Sequence, residues 1–191
     1  MAEFVDMPSK FMSYDMNIEG APHDYGNVYY RVPAGNRERL VIGPSRNHVD
    51  LLLALAKTFP MEEFYVLYVL LVSKTGADQG RYQSPLFESH KELEDFFLKF
   101  RDFFEGDGRH HIWIGTPNND GLLVYDRHNV IYAYGPLAAY THILASRGFL
   151  EQEFSFPVPH GHGYPASGQP EQELFQYCQW QHHPLNPADE D

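Results

Sequence analysis

The sequence predicts an α+β domain, a mostly antiparallel sheet with helices packed on one face. Three observations carry this expectation. Short apolar segments at 110–115, 122–125 and 130–134 are joined by links too brief for anything but antiparallel neighbours. Leu93, Phe96, Phe97, Phe100, Phe103 and Phe104 fall at the spacing of one helical stripe. The regular strand-helix alternation of a nucleotide-binding fold is missing.

Taken in order, residues 1–26 show scattered apolar positions with no period and read as irregular. Asn27 to Val32 is rich in β-branched and aromatic residues, as a strand requires. Pro33-Ala34-Gly35-Asn36 is turn chemistry, and Arg39 to Ile42 returns as a hairpin partner. Ser45 is placed to cap a helix whose face carries Val49, Leu52, Leu53, Ala56 and Phe59, and which Pro60 stops. Phe64 to Ser73 is a continuous aromatic and branched run, suited to a central strand buried on both faces. Ser89 and Glu92 have the spacing of a capping box ahead of the Phe stripe. That helix should end at Gly106 or Gly108. Pro117 to Gly121 and Asp126 to Asn129 are tight links within the three-strand meander. Gly135-Pro136 opens a further helix with Leu137, Tyr140, Ile143 and Leu144 on its apolar side, and Gly148 can end it.

The composition changes after Arg147. Residues 1–148 read as one domain and 149–191 as an appended arm. The arm has no Lys or Arg, seven acids, six prolines and four of the histidines, with many aromatics. That aromatic content predicts docking rather than a solvated tail. Glu153 to Val158 alternates like an edge strand or docked extended segment. Glu171 and Glu173 after Pro170 suit the first turn of a short helix reaching toward Trp180.

The chain has 191 residues, 14 Lys plus Arg against 26 Asp plus Glu, and a formal charge of −12. This argues against a broad basic face for nucleic acid or anionic membranes. A single Cys excludes an internal disulfide framework and a cysteine-built zinc cluster. The acidic start, Met1 to Asp6, is unlike a signal peptide, and the longest apolar run, Phe64 to Val72, is too short to span a bilayer. A cytoplasmic protein is the expectation.

No nucleophile elbow, phosphate loop or zinc-protease motif occurs, so no catalytic residue is assigned. Cys178 has no adjacent Lys or Arg to activate it. Eleven histidines are many for this length. His160, Gly161 and His162, with His182-His183 further on, offer four imidazoles that would together suit zinc, against a plain reading as polar residues of an exposed arm. His110 and His111 adjoin on one strand and should face opposite sides, one buried and one exposed. Asp126, Arg127 and His128 sit on a hairpin turn, where Asp is favoured for backbone reasons. Trp113, Tyr125, Tyr132 and Tyr134 lie on adjacent strands, and Tyr, Trp and Arg dominate protein interfaces. A face made of Trp113, Tyr125, Asp126, Arg127, His128, Tyr132 and Tyr134 is therefore the candidate partner-binding site. Packing under the domain's own helices is the competing account of those rings.

With its acidity, size, lack of catalytic motifs and a sheet built around Ile112-Trp113-Ile114 and Leu122-Leu123-Val124-Tyr125, the chain resembles the small acidic α+β immunity proteins that bacteria make to neutralise toxins. The likeness spans residues 27–147. It implies a protein that occludes a basic partner surface. The alternative is a small enzyme or metal-binding protein that uses the histidines of the arm.

Overall fold

The computed structural model describes residues 9–14 and 20–189, so the acidic start and the last two acids lie outside the described residues. The elements in chain order are β1 (Phe11–Ser13), β2 (Ala21–Pro22), β3 (Val28–Ala34), β4 (Arg37–Gly43), α1 (His48–Ala56), β5 (Tyr65–Leu70) and β6 (Gly80–Gln83). Then come α2 (His90–Lys99), α3 (Arg101–Gly106), β7 (His110–Gly115), β8 (Leu122–Tyr125), β9 (Ile131–Tyr134) and α4 (Leu137–Ser146). The arm supplies β10 (Leu150–Glu151), β11 (His160–His162), α5 (Gln169–Tyr177) and β12 (Gln181–His183).

Nine strands form one sheet in the order β10-β3-β4-β9-β8-β7-β5-β6-β12. Only the β10–β3 pair is parallel; the fold is α+β with a mostly antiparallel sheet. The meander β7-β8-β9 pairs antiparallel throughout, because its short links leave no room for a crossover. Gly35 at φ 66° supplies the positive φ that the two-residue β3–β4 turn requires, and pairing runs right up to Ala34 and Arg37.

Alternation along each strand sends one set of side chains inward. Leu40, Ile42, Val66, Tyr68, Ile112, Ile114, Leu123, Tyr125 and Ile131 join one core with Leu52 of α1, Phe96 of α2, Phe104 of α3, Leu144 of α4 and Leu174 of α5. All five helices thus contribute to the same face. The Phe stripe is inside, but the helix carrying it breaks at Phe100, whose φ −106° and ψ 16° leave helical geometry. The Phe104 N–H still donates to the Phe100 carbonyl at 2.9 Å, so both halves keep their rings in the core. Ser89 caps α2 by accepting from the Glu92 N–H, whereas Glu92 reaches back to the N–H of Glu88. Ser45 does not cap α1. Asn47 takes that place with left-handed backbone and no side-chain cap.

Residues 1–26 are not wholly irregular. β1 sits between β2 and β11 in a second, three-stranded sheet. Of the two expectations for 153–158, the edge strand does not form and the segment is extended and docked through Phe154. Pro157 and Pro159 lack the N–H a ladder needs, and Val158 is 89% exposed. Phe154 instead packs on Tyr25 and Tyr30, at ring separations of 4.6 and 5.2 Å.

Glu171 latches α5 to the loop after β5. Only 2% exposed, its carboxylate accepts from the Ser73 and Thr75 hydroxyls at 2.7 and 2.5 Å, and from the N–H groups of Lys74 and Thr75 at 3.1 Å each. Burial alone would push this carboxyl up, but those four donors outweigh it and hold it below its ordinary value. A depressed carboxylate stabilises the fold above its unfolded pKa and loses that contribution as pH falls through the folded value. The melting-temperature gap between wild type and Glu171→Gln should therefore be widest near neutrality and close in acid. A gap independent of pH would show that the charge of Glu171 does not hold the latch.

No helix among the described residues is long and apolar enough to cross a membrane.

Candidate functional site

Among the described residues no α-helix packs on the opposite face of the sheet, where the single 3-10 turn Pro187–Asp189 lies at the edge of a concavity. Period-two alternation places His111 and Trp113 of β7, Leu122 and Val124 of β8, Tyr132 and Tyr134 of β9, and Arg39 of β4 on this side. Register lines up Trp113, Val124, Tyr132 and Val41 across four adjacent strands. The result is a concavity of about 350 Å³ whose further walls are Arg81, Ala188 and Asp189. One side is bounded by the cluster that Phe154 joins. On the other, Leu185 lies with Leu67, Val69 and Leu71.

Two arginines organise the rings. The Arg39 guanidinium lies 4.7 Å from the centre of Tyr132 and 5.6 Å from that of Tyr134, and donates to the Tyr134 hydroxyl at 2.5 Å. The Arg81 guanidinium lies 5.1 Å from the Trp113 ring and is held by both oxygens of Asp189, at 2.7 and 2.6 Å. Cation–π contact and a fork-shaped ion pair fix these long side chains in place. Three buried nitrogens have no hydrogen-bond partner among the described residues: Arg39 Nε, His111 Nε2 and Trp113 Nε1. Burial pushes the His111 imidazole down to about 4, with Lys10, Arg127 and His128 adding to the effect against Asp126, so the ring is neutral near pH 7. An orphaned buried donor is costly, and a ligand with acceptor oxygens would satisfy it.

The expected partner-binding residues divide into three groups. Trp113, Tyr132 and Tyr134 share the concavity, with Asp126 at its margin. Tyr125 is a correction: it points into the helix-side core with no exposure, because alternation in β8 sends it inward with Leu123. Its hydroxyl donates to Asn129 at 2.8 Å, and Nζ of the buried Lys10 lies 4.1 Å from its ring centre. Asp126, Arg127 and His128 form the β8–β9 turn. Asp126 Oδ1 accepts from the N–H groups of His128 and Val130 at 2.9 Å each, while Oδ2 accepts from His128 Nδ1 at 3.0 Å. Burial raises this carboxyl, but His128 and the backbone donors outweigh it and hold it below its usual range. Asn129 completes the turn at φ 61°.

The four arm histidines do not gather. His182 and His183 pair with β6 at the far edge of the large sheet, where the His182 ring lies 4.7 Å from that of Tyr82. His160 and His162 pair with β1 in the small sheet and meet His128 instead. One ring nitrogen from each of His128, His160 and His162 lies within 4.8 Å of the other two. His110 and His111 do face opposite sides, yet both are buried, because the His110 ring packs against Tyr68 and Phe103. Arg39 and Arg81 were not foreseen as site members, and His128 was expected on the partner-binding face rather than beside the arm pair. Gly80-Arg81-Tyr82-Gln83 carries no apolar alternation to mark a strand. Nothing in the spacing ties the 126–129 turn to the arm.

No family model, curated protein or solved structure matches this chain.

Proposed function

We propose that the protein binds another protein through the face of its sheet opposite the α-helices and blocks the surface it covers, in the manner of toxin-neutralising proteins. One observation carries this reading: Trp113, Tyr132, Tyr134, Arg39 and Arg81 converge on a single open concavity. Those three residue types hold most of the binding energy at interfaces, above all in well-packed pockets near their centre. Here the rings and guanidiniums are already fixed against one another, so little side-chain freedom is lost on binding.

The charge of −12 favours a partner with a basic surface, since it draws such a partner in from a distance. At the centre the preference inverts. Arg81 is already held by Asp189, and the Arg39 guanidinium with the unpartnered N–H groups of Arg39 Nε and Trp113 Nε1 calls for an acceptor, so the group entering the concavity is a carboxylate or an exposed carbonyl. A basic partner that carries one such group amid its positive surface satisfies both demands.

The test uses the purified product of the gene next to this one, mixed with the full chain. Binding is expected, and Trp113→Ala should weaken it by at least about 2 kcal/mol, as truncation of a central anchor does. The association rate should fall between 0.1 and 1 M salt, as the screening length shrinks from about 10 to about 3 Å. Dissociation should change little over that range. Binding that Trp113→Ala leaves intact would move the interface elsewhere, and an association rate indifferent to salt would remove the electrostatic argument for a basic partner.

A further inference from the structure

The three imidazoles beneath the arm are arranged by more than packing. His128 Nδ1 lies 3.0 Å from the Asp126 carboxylate. His160 Nδ1 lies 2.8 Å from the Pro157 carbonyl, and His162 Nδ1 lies 3.2 Å from the Arg127 carbonyl. A carbonyl oxygen can only accept, and so can an ionised carboxylate. Each contact is therefore a hydrogen bond only if Nδ1 carries the proton. In the neutral ring this leaves the lone pair on Nε2. Three histidines from two distant stretches of chain are thus set in the same tautomer by three separate oxygens. Metal-ligating histidines show this habit, giving their other ring N–H to a carboxylate or backbone carbonyl that fixes orientation and raises basicity.

The backbone around the cluster serves the same placement. His160 and His162 are two apart on β11 and so project to one side of the strand, leaving Gly161 on the other. A Cβ on Gly161 would come within 2.9 Å of the Tyr14 ring, and one on Gly108 within 2.6 Å of His162 Cβ. At Gly108 the Cβ would also meet the Lys10 carbonyl at 2.7 Å, so that close approach needs glycine. The Phe11 ring lies 5.3, 5.3 and 5.8 Å from the rings of His128, His160 and His162, which gives the cluster one apolar wall. His160 is exposed, so the cluster opens to solvent on that side.

The geometry points to a three-histidine site for a divalent transition-metal ion at His128, His160 and His162, anchored behind by Asp126. Imidazole nitrogens suit zinc, copper, nickel or iron and not magnesium or calcium. Three protein nitrogens leave the fourth tetrahedral position to water or an exchangeable ligand. Zinc–nitrogen bonds of about 2.0–2.1 Å hold tetrahedral ligand nitrogens about 3.4 Å apart, so the cluster tightens by up to about 1.4 Å on loading. The short strand β11 at the rim of the small sheet allows that movement. Loading ties the arm, through His160 and His162, to the β8–β9 turn through His128. The site lies beside the partner-binding concavity and shares Asp126 with its margin.

The test takes the untagged full chain, strips it with chelator and dialyses it against zinc. Elemental analysis should give one zinc per chain, unaffected by excess magnesium, with a raised melting temperature. Cobalt in place of zinc should give the visible absorption of a four-coordinate site. His160→Ala removes a ligand whose ring is exposed, so the fold should survive while zinc binding and the cobalt spectrum are lost. Asp126→Asn should weaken zinc by about 10–100-fold, as loss of a supporting hydrogen bond to a ligand does. His182→Ala and His183→Ala should change neither. Zinc well below one per chain would overturn the site, and so would full zinc binding in a folded His160→Ala variant.

Discussion

Replacing Phe96 by Ala should cost about 3–5 kcal/mol of stability, the range for deleting a fully buried aromatic side chain. Phe96 has no exposure and stands at the middle of a ring cluster. Its centroid is 5.3 Å from Phe87, 5.4 Å from Phe97, 5.3 Å from Phe100, 5.7 Å from Phe104 and 5.0 Å from Tyr177. These neighbours come from the segment before α2, from α2 and α3, and from α5. Flat rings held by different elements cannot all slide inward, so the cavity stays open and the cost falls toward the upper end. Denaturant titration at unchanged slope measures it. A loss under about 1 kcal/mol would mean that the cluster collapses freely around the gap.

Asp107→Ala should be comparably damaging, by about 3–5 kcal/mol, because it strands a charge in the interior. Asp107 is 1% exposed and Arg109 is 5% exposed. The guanidinium donates from Nε to both carboxylate oxygens, at 2.9 and 3.1 Å, and from Nη2 at 2.6 Å. Nη2 also reaches the Pro165 carbonyl at 3.0 Å, so the pair binds the arm to the end of α3. A net worth for the pair does not follow from this cost. Removing both charges, as in Asp107→Leu with Arg109→Met, should cost less than removing one, since buried ion pairs exchanged for apolar residues are often neutral. The comparison of two single variants with the double one decides it. Additive losses would show that the two side chains act separately.

What periodicity controls was legible in the sequence. The meander over 110–134 and the Phe stripe of 93–104 rest on short-range patterns, and both lie where alternation and helical spacing place them. Pairings between distant segments were not legible. β6 reads Gly-Arg-Tyr-Gln and carries no strand signal by itself; it forms because β5 and β12 flank it. The break at Phe100 was hidden because the apolar stripe runs through it undisturbed. Tyr125 was assigned to the surface by residue type, although the alternation that puts Tyr132 and Tyr134 outward sends Tyr125 inward from its own strand. The concavity was half visible, through its aromatics. Its arginines were not, since a charged residue in a sequence gives no sign of lying over a ring. The imidazole cluster was read as two unrelated features, because only the pairing of β1 with β11 carries His160 and His162 to the 126–129 turn.

Both outermost strands of the large sheet, β10 and β12, come from the segment after Arg147. This sets a schedule for synthesis. The inner seven strands leave the ribosome before the strands that cover their margins exist. At about 5–20 residues per second, the stretch from 148 to 183 takes about 2–7 s to be made. During that interval β3 and β6 present open backbone to any neighbouring chain, the situation that leads to edge-to-edge aggregation. Nascent chains arrested within this stretch should therefore be the aggregating species, and a slower passage through these codons should lower the soluble yield.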